Sequence, residues 1–167
     1  MGKIGIGVIG GGYMGKAHSV AFAAVASVFD TALRPELVSI CASSPDSAER
    51  YRKAYGFEKA THDWRELVAD PAVEAVVIAS PQATHHDIAI AAFALGKPVL
   101  CEKPLGVSLE QSRAMVDAAA AAGDFSSSSE LVSSAESSRL KAPAAPSSPS
   151  RISKTGSTFF FHQSAAS

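Results

Sequence analysis

Up to Gly123 the chain alternates short apolar runs with longer segments in which apolar residues recur every three or four positions, and beyond it the alternation stops. Short runs bounded by turn residues read as strands, and the longer periodic segments as helices. Runs at 3–9, 36–41, 74–80 and 99–102 predict four strands, and a weaker run near 58–60 predicts a fifth. VVIAS and PVLCE are apolar without strict alternation, as expected of strands covered on both faces. Strand and helix in repeated succession predict an α/β fold: a doubly wound parallel sheet of the Rossmann, dinucleotide-binding type.

Helix starts carry local signals. Ser44 followed by Pro45 supplies a cap and a first-turn proline, Asp63 has Glu66 three residues on, and Ser108 has Gln111 three residues on. The last helix, 109–122, is alanine-rich and is expected to stop at Gly123, where glycine tolerates a left-handed backbone. Residues 124–167 contain fifteen serines in forty-four positions, with Pro143, Pro146 and Pro149 and no periodicity. So little apolar surface does not offset chain entropy, so a domain over 1–123 and a disordered Ser/Pro-rich tail over 124–167 are expected. Phe159, Phe160 and Phe161 are the tail's one apolar cluster and read as chance in a biased segment.

Charge narrows the partners. With 15 basic and 16 acidic residues and a net charge of -1, no field gathers nucleic acid or anionic lipid, and a small-molecule partner is expected. No apolar run reaches the roughly 20 residues that span a bilayer. Glycines together with Lys16 and His18 interrupt the only stretch resembling a secretory signal. Cys41 and Cys101 each close a strand-like run, which suits reduced, buried thiols and a cytoplasmic location.

Candidate chemistry begins at GVIGGGYMGKAHS. Gly10, Gly12 and Gly15 form G-x-G-x-x-G between the first strand and the first helix. Gly10 permits the tight turn, Gly12 admits a pyrophosphate against backbone, and Gly15 lets the helix pack on the strand. Tyr13 and Met14, between the last two glycines, fall at the helix N-terminus and are counted with the cofactor-binding positions. His18 reads as a packing or surface histidine. The second strand runs into ICASSPDSAER, with Ala42, Ser43 and Ser44 where an NAD-selective site carries an acid. A carboxylate there repels a 2′-phosphate and small hydroxyls admit one, so the cofactor is NAD or NADP with a lean to NADP. Ser44 reads equally as a helix cap, and Arg50 lies farther along the helix.

Two further stretches, SPQATHH at 80–86 and CEKPLG at 101–106, stand at ends of later strands. Together with the glycine turn they resemble the Gfo/Idh/MocA family, over residues 1 to about 123. The resemblance implies a nicotinamide-dependent oxidoreductase of sugars, polyols or inositol-like substrates. It also implies that Ser80, Pro81 and Gln82 line the cofactor beside ribose and nicotinamide, with His85 structural or cofactor-adjacent. Glu102, Lys103 and Pro104 match its EKP motif, in which the lysine touches the reacting hydroxyl or carbonyl and is the catalytic candidate. Family members continue into a substrate domain that residues 124–167 do not match, and the break at Gly123 reads as a shifted frame or truncated gene. A non-catalytic dinucleotide-binding module and an inactive fragment are the competing expectations. Oligomeric state stays open.

Overall fold

The computed structural model describes residues 2–122. The expectations for Gly123, the serine-rich tail, the phenylalanine cluster and His162 lie outside the described residues. Five strands form one sheet: β1 (Gly2–Ile9), β2 (Leu33–Cys41), β3 (Lys59–Thr61), β4 (Ala75–Ile78) and β5 (Val99–Cys101). Helices α1 (Tyr13–Val28), α2 (Pro45–Tyr55), α3 (Trp64–Ala69), α4 (His85–Ala94) and α5 (Leu109–Ala122) connect or follow them. All pairings are parallel and the strand order is β3-β2-β1-β4-β5, the doubly wound arrangement expected from the alternation.

The apolar runs become the buried centre of the sheet. Val8, Ile40 and Val77 face one layer with Phe22 of α1 and Tyr51 and Tyr55 of α2. Val76, Ile78 and Val99 face the other, against Leu67 and Val68 of α3, Ile88, Ala89 and Ala92 of α4, and Met115 of α5. Each face thus removes branched side chains from water, which is the main favourable term in forming the sheet.

Element boundaries differ from expectation where pairing, not composition, sets them. β2 begins at Leu33 because Gly2, Lys3 and Ile4 pair with Leu33, Arg34 and Pro35, although those three residues make no apolar run. β4 ends at Ile78, two residues short of the apolar run, because the chain bends away at Ser80 after a last ladder bond from the Ala79 N–H. β3 runs one residue later than the weak pattern indicated.

Helix capping follows the local signals. Ser44 caps α2 by accepting from the Ser47 N–H at 3.3 Å, and Gly56 ends that helix at φ 81°. Asp63 caps α3 by accepting from the Arg65 N–H at 2.9 Å. Cys41 and Cys101 are both free and buried. Burial pushes their thiols up, to about 11 and about 12, so both stay protonated and unreactive at neutral pH. Among the described residues no helix is long and apolar enough to cross a membrane.

Candidate functional site

Register brings the expected site residues to one level. Cys41 stands opposite Ile9, Ile9 opposite Ile78, and Ile78 opposite Cys101. The next residues extend the ladder: the N–H groups of Gly10, Ala79 and Glu102 donate to the carbonyls of Cys41, Ile9 and Ile78 at 2.8, 2.8 and 2.9 Å. The glycine turn, residues 80–82 and residues 102–104 therefore leave the sheet side by side at its C-terminal edge. The strand order reverses between β1 and β4, and in an open α/β sheet that is where a ligand crevice forms.

Each glycine of the turn has a distinct structural reason. Gly10 adopts φ 101°, which side-chain-bearing residues rarely take. A Cβ on Gly15 would run into the carbonyl oxygen of Gly10, so the first turn of α1 lies against the strand exit. A Cβ on Gly12 meets nothing within 4 Å, so the backbone there fronts open space. Gly12 is also the N-cap of α1, which has no side-chain cap and no acidic residue in its first turn. Its first N–H groups and positive dipole end thus stay available to an anion, whereas side chains cap α2 and α3. This bare cradle fits the pyrophosphate of a dinucleotide. Tyr13 follows with 87% of its surface exposed, and Met14 is half-buried.

The turn is supported from behind. Tyr55 donates its hydroxyl to the Gly11 carbonyl at 2.9 Å, and the Tyr51 ring packs where a Gly11 side chain would stand. The two rings stack at 5.5 Å, and the Arg50 guanidinium lies 5.1 Å from the Tyr51 ring centre. Sequence reading missed this pair. Their i,i+4 spacing on α2 was the available signal.

At the β2 exit, Ser43 is exposed and Ser44 half-buried. The Ser44 hydroxyl is committed to Ser47, whose backbone it caps and whose hydroxyl lies 2.9 Å away, which favours its capping role. No carboxylate occupies 42–44, as expected.

The β4 exit is tightly tied. Ser80 Oγ lies 2.7 Å from Thr84 Oγ1, and Gln82 Nε2 donates to the Gly106 carbonyl at 2.6 Å. The amide nitrogen of Gln82 thus joins the two loops, a contact that the expectation of a cofactor-lining residue does not contain. His85, 1% exposed, places Nδ1 3.0 Å from the Pro104 carbonyl and Nε2 2.9 Å from the Ser80 carbonyl. His85 thereby ties the β4 exit to the loop after β5.

At the β5 exit the Lys103–Pro104 peptide is cis. Glu102 is buried and Oε1 accepts from His18 Nε2 at 2.8 Å, with side-chain exposures of 9% and 13%. Lys103 and Pro104 are exposed, and among the described residues no carboxylate pairs with Lys103. The His18 contact was not legible as a contact, although His18 lies three residues after Gly15 on the packing face of α1. A hollow of about 270 Å³ lies elsewhere, at the C-terminal end of α1 among Ser27, Phe29, Asp30 and Arg34.

Comparison with known proteins decides the family. The profile of the Gfo/Idh/MocA oxidoreductases, described as an oxidoreductase family with an NAD-binding Rossmann fold, matches residues 4–129. The chain belongs to this family. Levoglucosan dehydrogenase of Pseudarthrobacter phenanthrenivorans is 44% identical over 119 residues, 71% of this chain and 30% of that protein. The scyllo-inositol 2-dehydrogenase (NAD(+)) of Bacillus subtilis is 40% identical over 77 residues, 45% of this chain and 22% of that one. Among solved structures, levoglucosan dehydrogenase in complex with NADH superposes with a TM-score of 0.68 at 44% identity, covering 70% of this chain and 32% of that one. An NAD binding oxidoreductase from Klebsiella pneumoniae gives a TM-score of 0.70 at 45% identity, covering 72% and 32%. The chain spans 30% of the length of the levoglucosan dehydrogenase it matches.

Proposed function

We propose that residues 2–122 form the nicotinamide-dinucleotide half of an oxidoreductase acting on a sugar, polyol or inositol-like substrate. The observation that carries this reading is the convergence of three strand exits on one sheet edge: an uncapped glycine turn, the Ser80–Pro81–Gln82 loop and an exposed Lys103. Gly10, Gly12, Tyr13, Met14 and Gly15 would hold the pyrophosphate with backbone N–H groups. Ser43 and Ser44 would stand beside the adenosine ribose, while Ser80, Pro81, Gln82, His85, Glu102 and Pro104 would bound the nicotinamide end. A bound nicotinamide supplies or accepts the hydride. Lys103 would donate from its ammonium to the substrate oxygen, polarising a carbonyl in one direction and stabilising a developing alkoxide in the other. A substrate sugar is supported by the levoglucosan and inositol dehydrogenases to which the chain is similar.

A finer element concerns the ribose. With no carboxylate at 42–44, the chain takes NADPH at least as well as NADH, even though the similar levoglucosan dehydrogenase was solved with NADH. Titration of the full chain with each reduced cofactor, read by nicotinamide fluorescence, tests both points. Saturable binding of either supports the dinucleotide site. No binding at millimolar concentration overturns it, and NADH bound far more tightly than NADPH removes the NADP preference.

A second reading, a dinucleotide-binding module without turnover, draws on the absence of a carboxylate partner for Lys103 among the described residues. Positioning two reactants supplies much of the rate in such reactions. Cofactor binding with no oxidation across a panel of sugars and inositols favours this second reading. The change of composition at Gly123 fits a shifted frame, a reading that ends if the source's own protein carries residues 124–167 unchanged. A cytoplasmic location accords with the two protonated, buried thiols.

A further inference from the structure

Two histidines approach the same three residues from opposite faces of the sheet. His18 belongs to α1, whose Phe22 packs in one apolar layer, and His85 opens α4, whose Ile88 and Ala89 pack in the other. From its side His18 donates to the buried carboxylate of Glu102 at 2.8 Å. From the other, His85 Nδ1 lies 3.0 Å from the Pro104 carbonyl while Nε2 lies 2.9 Å from the Ser80 carbonyl. Lys103 sits between the two anchored residues and is exposed.

Such an arrangement is a poor way to gain stability. A buried carboxylate and imidazole lose their hydration, and apolar residues of similar volume commonly serve a fold as well or better. What the polar contacts add is direction: hydrogen bonds in a low-dielectric interior fix orientation and register more narrowly than apolar packing does. Lysine itself needs that help, because its long stem has many rotamers and its position is only as definite as the backbone that carries it.

We propose that His18 and His85 are positioning residues, a two-sided clamp on Glu102 and Pro104 that sets where Lys103 stands relative to the nicotinamide end of the cofactor. This rests on the dinucleotide reading given above. His18 links Lys103 to the helix whose N-terminus faces the pyrophosphate, and His85 links it to the β4 exit. The glycine turn, the β4 loop and the lysine are thereby held in one frame.

The test reads Lys103 itself. Lysines of the full chain are labelled by reductive methylation with ¹³C, the Lys103 signal is assigned with K103R, and NADH is added to the parent and to H18L, H18Q, H85N and H85Q. Glutamine places an amide nitrogen as far along the side chain as histidine Nε2, and asparagine as far as Nδ1. H18Q therefore keeps a donor for Glu102 and H85N keeps one for Pro104, whereas H85Q serves only Ser80. The Lys103 signal is expected to move on NADH addition in the parent, H18Q and H85N, and to lose that response in H18L and H85Q at NADH concentrations raised until each variant is saturated. If H18L does not fold, H18N, whose amide falls short of Glu102, takes its place. Equal responses in every NADH-binding variant overturn the clamp alone. No NADH binding to the parent overturns the dinucleotide reading and the clamp with it, and NADH binding with an unmoved Lys103 signal in the parent removes Lys103 from the nicotinamide end and overturns the clamp.

Discussion

Replacing Gly15 with alanine is expected to lower the stability of the domain severely, while the same change at Gly12 leaves the fold intact and weakens dinucleotide binding. The contrast follows from what each added methyl would meet. At Gly15 it collides with the Gly10 carbonyl oxygen, a backbone atom held in the turn between β1 and α1. Backbone cannot rotate aside as a flexible side chain does, so α1 must shift from the sheet, at a cost of about 3 kcal/mol or more. Against a total stability of roughly 5–15 kcal/mol for an ordinary domain, that is a large fraction. The unfolding midpoint should fall by roughly 10 °C or more.

At Gly12 the methyl meets nothing within 4 Å, and φ −69° with ψ −160° suits alanine. Its thermal midpoint should match the parent. Yet the methyl enters the space in which a pyrophosphate would contact backbone N–H groups, so the dissociation constant for NADH should rise by about tenfold or more, equivalent to ~1.4 kcal/mol. Thermal melts and cofactor titrations of both variants check the pair. A G15A protein that melts with the parent contradicts the close packing, and a G12A protein that binds as the parent does contradicts the cradle.

The second large effect concerns chemistry. Lys103→Met should remove about a hundredfold to ten-thousandfold of whatever sugar, polyol or inositol oxidation the chain performs, the usual contribution of a positioned proton-transfer group. Cofactor affinity should change by about threefold at most, because an exposed charge contributes ~0.5 kcal/mol or so to binding. The reason for the split is placement: Lys103 is exposed beyond the end of β5, whereas the expected pyrophosphate contacts lie at the start of α1. Steady-state rates with and without the substitution, alongside NADH titrations, separate the two terms. A variant that turns over at the parent rate takes the catalytic role away from Lys103.

Much of this was legible in the sequence, for identifiable reasons. The parallel sheet was readable because β1, β4 and β5 are apolar runs buried on both faces, and because strand and helix signals alternate without conflict. The glycine turn was readable because Gly10 and Gly15 answer backbone requirements that a side chain cannot meet, and Gly12 completes their spacing. The start of β2 was not readable: Leu33, Arg34 and Pro35 are extended through pairing with β1, a demand made by a neighbour and not by their own composition. The same holds at the site. Gln82 reads from the family resemblance as lining the cofactor, and only the approach of the loop after β5 gives its nitrogen to Gly106. His18 and Glu102 are 84 positions apart in the chain, and nothing local to either announces the other. Ser44 was ambiguous between cap and ligand contact, and the serine three residues later favours the cap, because its hydroxyl and backbone both engage Ser44.

The most direct single measurement is the map of backbone amide shifts of the ¹⁵N-labelled full chain on addition of NADH. The shifts should concentrate at Gly10 to Gly15, Ala42 to Ser44, Ser80 to Gln82 and Glu102 to Lys103, the four exits on the C-terminal edge of the sheet. Shifts that gather instead around Ser27 to Arg34, beside the hollow at the opposite edge, or that fail to appear at saturating NADH, would contradict a dinucleotide site at the glycine turn.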